Sequence, residues 1–249
     1  MEPLPEVPAV PRSEANQERI RFYQPELDGL RFYAFLGVFV FHALPVDTPF
    51  FSGLHLPLPW LWKAVIQSGA AGVDLFFALS AYLITSLLLR ERLVTGGISL
   101  RLFYIRRILR IWPLYFLVLA LGASVAHASR LSHLWYYTQS LPWYYIAGYI
   151  TFLSNWIYAA FGGPQSICAP LWTVSIEEQF YLVWPALAKT LRPRGMFIAA
   201  VGALLLTTVI QLLVLSSGAK LGYIYFGSAS RCGSLAVGII LALGVDRLP

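Results

Sequence analysis

The stretch "LDGLRFYAFLGVFVFHAL", residues 27–44, has the apolar content of a membrane span, yet it carries Asp28, Arg31 and His42. Arg31 and His42 are 11 residues apart. In a helix that spacing is about three turns and about 16 Å along the axis, so both side chains belong to one face. Ionisable groups inside a bilayer are costly, and their presence points to function. The plainer reading is a snorkelling arginine with a hydrogen-bonded histidine. An unperturbed imidazole titrates near neutrality, so His42 suits a general base. Asp28 stands one turn before Arg31 and can orient it.

Three further stretches carry chemistry-bearing residues. In "RLFYIRRILRIWPLY", Arg106 and Arg110 share a helix face at i, i+4, with Arg107 beside them. Three guanidinium groups so placed can grip phosphates, although basic residues at a span's cytoplasmic end also serve as plain anchors. In "GAAGVDLFFALSAYLI", Asp74 and Ser80 interrupt an apolar run. Asp74 can pair with a cation or orient a donor. Ser80 reads first as a hydroxyl bonded back to its own preceding turn. In "LWTVSIEEQFYLVWP", Glu177, Glu178 and Gln179 follow Trp172 near the start of another apolar stretch. A helix dipole accounts for acids there, but it does not account for the depth of Gln179. Cys168 and Cys232 have no metal-ligand spacing, so no metal site is expected. Both fall toward the outer side, where a disulfide and two free thiols are both open. No nucleophile elbow, HExxH, P-loop or dinucleotide glycine pattern occurs, so serine-hydrolase and ATP-driven chemistry have no support.

The elements that must position these residues are membrane helices. The chain is 58% hydrophobic and only 12% charged, and apolar runs of roughly 18 residues recur, the signature of an all-α, polytopic membrane bundle. The basic residues cluster at 12–31, 90–110, 189–194 and Arg247, leaving only Lys63, Arg130, Lys220 and Arg231 elsewhere. By the positive-inside rule the clusters face the cytoplasm. They flank apolar spans, which argues against nucleic-acid binding. Six spans are expected, at about 27–46, 69–89, 111–127, 171–189, 196–216 and 231–246, alternating in direction from a cytoplasmic N-terminus. The loop after the first span, rich in proline and tryptophan, should lie in the outer interface, and "RLFYIRRILRIWP" should form a cytoplasmic connection. Segment 133–160, broken by Pro142 and Gly148, reads as re-entrant or interfacial. Residues 1–24 lack an apolar signal-peptide core and read as a disordered cytoplasmic tail ahead of a transmembrane domain over 25–249.

Together the four motifs resemble the membrane acyltransferases of family three, bacterial proteins that O-acylate glycans, antibiotics and related acceptors. That family's first span carries Arg, ten residues, then His, here Arg31 and His42. "GVDLFFALSAYLI" matches its second motif, with Ala81 at the usual glycine. Phe103, Arg106, Arg107, Arg110, Ile111, Pro113 and Tyr115 match the third. Residues 171–185 match the fourth, with Thr173, Val174 and Ile176 as conservative changes. "SRCGSLAVGIILA" is similar to a later family span.

The resemblance implies a bacterial plasma-membrane O-acyltransferase. Its co-substrate would be cytoplasmic acyl-CoA, most often acetyl-CoA, with no permanently bound cofactor. The acceptor would be a hydroxyl of a carbohydrate or cell-envelope glycan. Arg106, Arg107, Arg110 and Arg31 would hold the donor phosphates. The pantetheine arm is about as long as the Arg31–His42 separation, so the thioester would reach His42. His42 would be the general base, or else an acyl-histidine would form. Asp74, Ser80, Trp172, Glu177, Glu178 and Gln179 would serve the acceptor or support the site. Members usually carry about ten spans, so the chain is expected to be incomplete at its C-terminus, a short member or half of a split protein. A sugar or lipid exporter and a non-catalytic membrane partner are the alternatives, and neither inverted repeats nor paired broken helices favour transport. The oligomeric state is not legible.

Overall fold

A computed structural model describes residues 25–44, 58–132, 142–164 and 166–245. The expected N-terminal tail, most of the outer loop and residues 133–141 lie outside the described residues. Among the described residues every regular element is helical. These are α1 (Pro25–Ala43), α2 (Pro59–Ser68), a 3-10 turn (Gly69–Ala71), α3 (Gly72–Thr95), α4 (Leu100–Ser132), α5 (Trp143–Ile150), α6 (Ser154–Phe161), α7 (Leu171–Thr190), α8 (Pro193–Ser216), α9 (Gly222–Phe226) and α10 (Ser228–Val245).

Four stretches are long and apolar enough to cross a bilayer: Trp60–Thr95, Leu100–Val125, Pro193–Ser216 and Gly222–Gly244. They mark the chain as a membrane protein. α1 and α7 are not among them, because one carries Glu26, Asp28 and Arg31 and the other Glu177, Glu178 and Gln179. The second span starts earlier than expected, since residues 59–71 are helical rather than loop. The arginine motif is not a connection between spans. It lies within the 33-residue helix α4, and the turn that precedes α4 is Gly96–Ser99. Gly96 ends α3 with φ 77°, a left-handed conformation that glycine adopts without steric cost. Residues 143–161 form two eight-residue helices, each about 12 Å long and too short to cross.

Cross-helix contacts fix the relative directions. α3 and α7 run parallel, tied at successive levels by Ser80 to Glu177, by the Trp184 indole donating to the Thr85 hydroxyl at 2.9 Å, and by Arg92. The Arg92 guanidinium donates to the carbonyls of Ala188, Lys189 and Leu191, closing the C-terminus of α7 whose last carbonyls lack helical partners. α4 is antiparallel to α7, with Tyr104 on the Leu182 carbonyl and Trp112 on Glu178. α10 is parallel to α3, and α8 is antiparallel to α10, with Gln211 on Ser230 and Leu204 and Thr207 against Gly233. α1 is antiparallel to α3. The six helices thus alternate in direction along the chain, as the charge clusters require.

Small residues let these backbones meet. Gly37 and Ala34 of α1 face Gly69 and Gly72, and Gly238 of α10 lies against the Ala78 carbonyl of α3. In lipid, helices associate through such close packing rather than through a hydrophobic drive. A Cβ at Gly238 would overlap the Ala78 carbonyl oxygen and approach the Tyr82 nitrogen to 2.9 Å, whereas one at Gly202 of α8 meets nothing within 4 Å. Gly238→Ala is therefore expected to cost about 2 kcal/mol or more, read as a lower thermal midpoint in detergent. Gly202→Ala is expected to be neutral or slightly stabilising. Equal midpoints for the two variants would mean that the α3–α10 contact is not a tight one.

Candidate active site

Three helices converge on Glu177. One carboxylate oxygen accepts from the Ser80 hydroxyl of α3 at 2.5 Å, and the other accepts from the Tyr181 hydroxyl, one turn along α7, at 3.2 Å. Ser80 thus does not bond its own preceding turn, because a buried acceptor on a neighbouring helix captures its hydroxyl. From α4, the half-buried Arg107 guanidinium lies 5.1 Å from the Tyr181 ring centre and 5.7 Å from that of Phe103. On α1, Arg31 pairs with Asp28 at 3.5 Å, the expected i, i+3 geometry.

The next two residues of α7 turn away by about 100° each. Glu178 reaches α4, where one oxygen accepts from the Trp112 indole at 3.2 Å. Its other oxygen is buried and has no hydrogen-bond partner among the described residues. Gln179 faces α6 and α10. Its amide nitrogen donates to the Phe152 carbonyl and to the Asn155 side-chain oxygen, and its own oxygen accepts from Ser228. Asn155 closes this network on Ser228 and the Phe226 carbonyl. Gln179 is therefore committed to joining three helices. On that side α7, α8 and α10 border an apolar cavity of about 330 Å³, separated from Glu177 by the body of α7.

The structure divides the arginine triad. Arg107 turns into the bundle, while Arg106 and Arg110 stay exposed on their shared face. His42 is exposed in the last turn of α1, not at its middle, because the helix stops at Ala43 ahead of Pro45. Its ring lies edge-on to Phe41, and among the described residues it touches no member of the Glu177 cluster. Asp74 stands six residues before Ser80, about 9 Å away along α3. It is paired with Arg231 at 2.7 Å and accepts from Ser234 at 2.6 Å. Trp172 is buried against Phe77, Tyr225 and Phe226. Cys168 and Cys232 are free thiols, and Cys168 fills the space above Gly122.

Sequence reasoning missed Tyr181, Trp112, Asn155 and the pairing of Arg231. A signal for the last was present, since Arg231 is one of four basic residues outside the clusters and opens an apolar helix, as Asp74 does.

A protein of Staphylococcus aureus named "Putative O-acetyltransferase SAS0844" is 31% identical over 237 residues, covering 88% of this chain and 34% of its own length. "Putative peptidoglycan O-acetyltransferase YrhL" of Bacillus subtilis is 30% identical over 89% of this chain and 33% of its own. Peptidoglycan O-acetyltransferase OatA of Listeria monocytogenes is 29% identical over 89% and 34%. The chain spans about a third of the length of these curated relatives. No solved structure matches. A family model described as an acyltransferase domain matches residues 24–248, and with that match over nearly the whole chain, the protein belongs to this acyltransferase family.

Proposed function

We propose that the chain is the membrane part of an O-acyltransferase that moves an acyl group, acetyl in the first instance, from acyl-CoA to a hydroxyl of a cell-envelope glycan. The observation that carries this reading is the convergence of Ser80, Arg107, Glu177 and Tyr181 from three helices. Isolated charges at that depth would be expensive, and a paired, hydrogen-bonded cluster marks a working site. The relatives named as peptidoglycan O-acetyltransferases support the acceptor class.

In this reading α1 and α7 complete a six-span bundle whose arginine-rich end faces the cytoplasm of a bacterial plasma membrane. Exposed Arg106 and Arg110 receive the donor's phosphates, and Arg107 and Arg31 sit deeper along its path. The extended arm of the donor carries the thioester toward His42. His42 accepts the proton of the acceptor hydroxyl as its oxygen attacks the thioester carbonyl. The new ester forms, the C–S bond breaks, and the CoA thiolate leaves and takes up a proton. No group need stay bound between turnovers.

Turnover of radiolabelled acetyl-CoA in membranes tests the reaction, with label moving into a glycan fraction as the expected result. Arg110→Ala is expected to weaken CoA binding about 10-fold, the loss of roughly one charge-assisted contact. The effect should shrink as salt rises, because the group is exposed. Unchanged affinity in both Arg106→Ala and Arg110→Ala would remove this end of the bundle from the donor site.

A further inference from the structure

The pair Asp74–Arg231 lies in the first turns of the parallel helices α3 and α10, about 9 Å along α3 from Ser80 and the Glu177 cluster. Arg231 is nearly enclosed, with its side chain 11% exposed, while that of Asp74 is 40% exposed. One guanidinium nitrogen donates to both Asp74 oxygens at 2.7 Å, and Nε donates to the Tyr225 carbonyl at 2.8 Å. A guanidinium has five N–H donors, and those of the second terminal nitrogen have no partner among the described residues. The flat cation lies 4.8 Å from the Tyr225 ring centre and 6.0 Å from that of Trp172. Ser234 holds Asp74 from the far side. An ion pair needed only to join α3 and α10 would not require the aromatic walls or the open carboxylate.

We infer that Asp74, Arg231 and the partly exposed Tyr225, backed by buried Trp172, form the binding site for the acceptor, and that it selects a neutral sugar over an anionic one. This rests on the acyl-transfer reading for its role but not for the binding itself. The pair is neutral as a whole, so a phosphate or carboxylate would meet attraction from Arg231 and repulsion from Asp74. A polyol suits both partners. One hydroxyl donates to the exposed carboxylate, its neighbour accepts from the uncommitted guanidinium donors, and the apolar face of the ring meets an aromatic wall. The surroundings of Glu177 are different, with Arg107 beside Tyr181 and Arg106 and Arg110 exposed on the same helix.

The test is direct binding to the purified protein, using a neutral N-acetylglucosamine trisaccharide and a glucuronate trisaccharide as probes and tryptophan fluorescence as the readout. CoA binding is measured in parallel. The neutral probe is expected to bind at least 10-fold more tightly than the anionic one. Asp74→Asn and Arg231→Gln are expected to weaken it 10-fold or more while CoA affinity stays within twofold. Asp74→Asn keeps the size of the side chain and an acceptor for Arg231, and its retained CoA affinity, measured beside its thermal midpoint, separates a binding loss from unfolding. Failure of the wild type to bind the neutral probe, equal binding of both probes, or full binding by a folded Asp74→Asn protein would each overturn the inference. Absence of CoA binding with intact sugar binding would instead count against the donor reading alone.

Discussion

His42→Ala is expected to reduce acyl transfer by about 10²–10⁴-fold, the usual contribution of a general base, while CoA affinity stays unchanged. The separation of effects follows from α1. His42 stands in its last turn, about 16 Å along the axis from Arg31, and makes no hydrogen bond or ion pair among the described residues. Its removal leaves no buried group unpaired, so the fold should not respond. The loss should therefore fall on kcat and not on donor binding, the reverse of Arg110→Ala. A histidine with only a structural role would instead show a lower thermal midpoint and little kinetic change. Single-turnover measurement with preloaded acetyl-CoA distinguishes the two, because a base mutant binds donor fully and discharges it slowly. Full transfer by His42→Ala would move the base elsewhere, and the unpartnered oxygen of Glu178 would be the next group to examine.

The sequence carried the periodicities well and the partnerships poorly. Charge clusters at alternate span ends are enough to order the directions of α1, α3, α4, α7, α8 and α10, because each cluster constrains its helix independently of the others. Spacing also placed Arg31 one turn from Asp28, a contact within one helix. Contacts between helices are another matter. Ser80 meets Glu177 97 residues away, and Asp74 meets Arg231 157 residues away. Helical periodicity says which residues share a face but not which helix that face meets. The arginine triad shows the same limit. Three arginines within five positions read as one cluster, yet a helix turns about 100° per residue, so Arg107 enters the bundle while Arg106 and Arg110 stay outside. Six spans are expected from the sequence, whereas four stretches are long and apolar enough to cross a bilayer. The carboxylates that make α7 too polar to pass as a span are those that Ser80, Tyr181 and Trp112 satisfy, and hydropathy cannot register a partner on another helix.

Glu177→Ala is expected to be the most damaging single change in the cluster, costing about 3–5 kcal/mol of stability, as removal of one partner from a buried charged network does. It strands the Ser80 and Tyr181 hydroxyls and removes the carboxylate beside Arg107. Loss of activity in that variant would say little by itself, because the bundle would loosen along the whole α3–α7 seam. Glu177→Gln is the informative partner. It keeps the length of the side chain and an oxygen that can accept from Ser80 or Tyr181, but it removes the charge beside Arg107. The expected result is a thermal midpoint much closer to wild type than that of the alanine variant, with transfer reduced about 10–100-fold, the equivalent of roughly 1.4–2.7 kcal/mol in the transition state. The reason is positional. Under the proposed donor reading, loss of that charge would leave Arg107 less firmly placed beside Tyr181. Full transfer by a folded Glu177→Gln protein would show that hydrogen bonding alone holds the cluster, and the charge at residue 177 would then belong to neither binding nor catalysis.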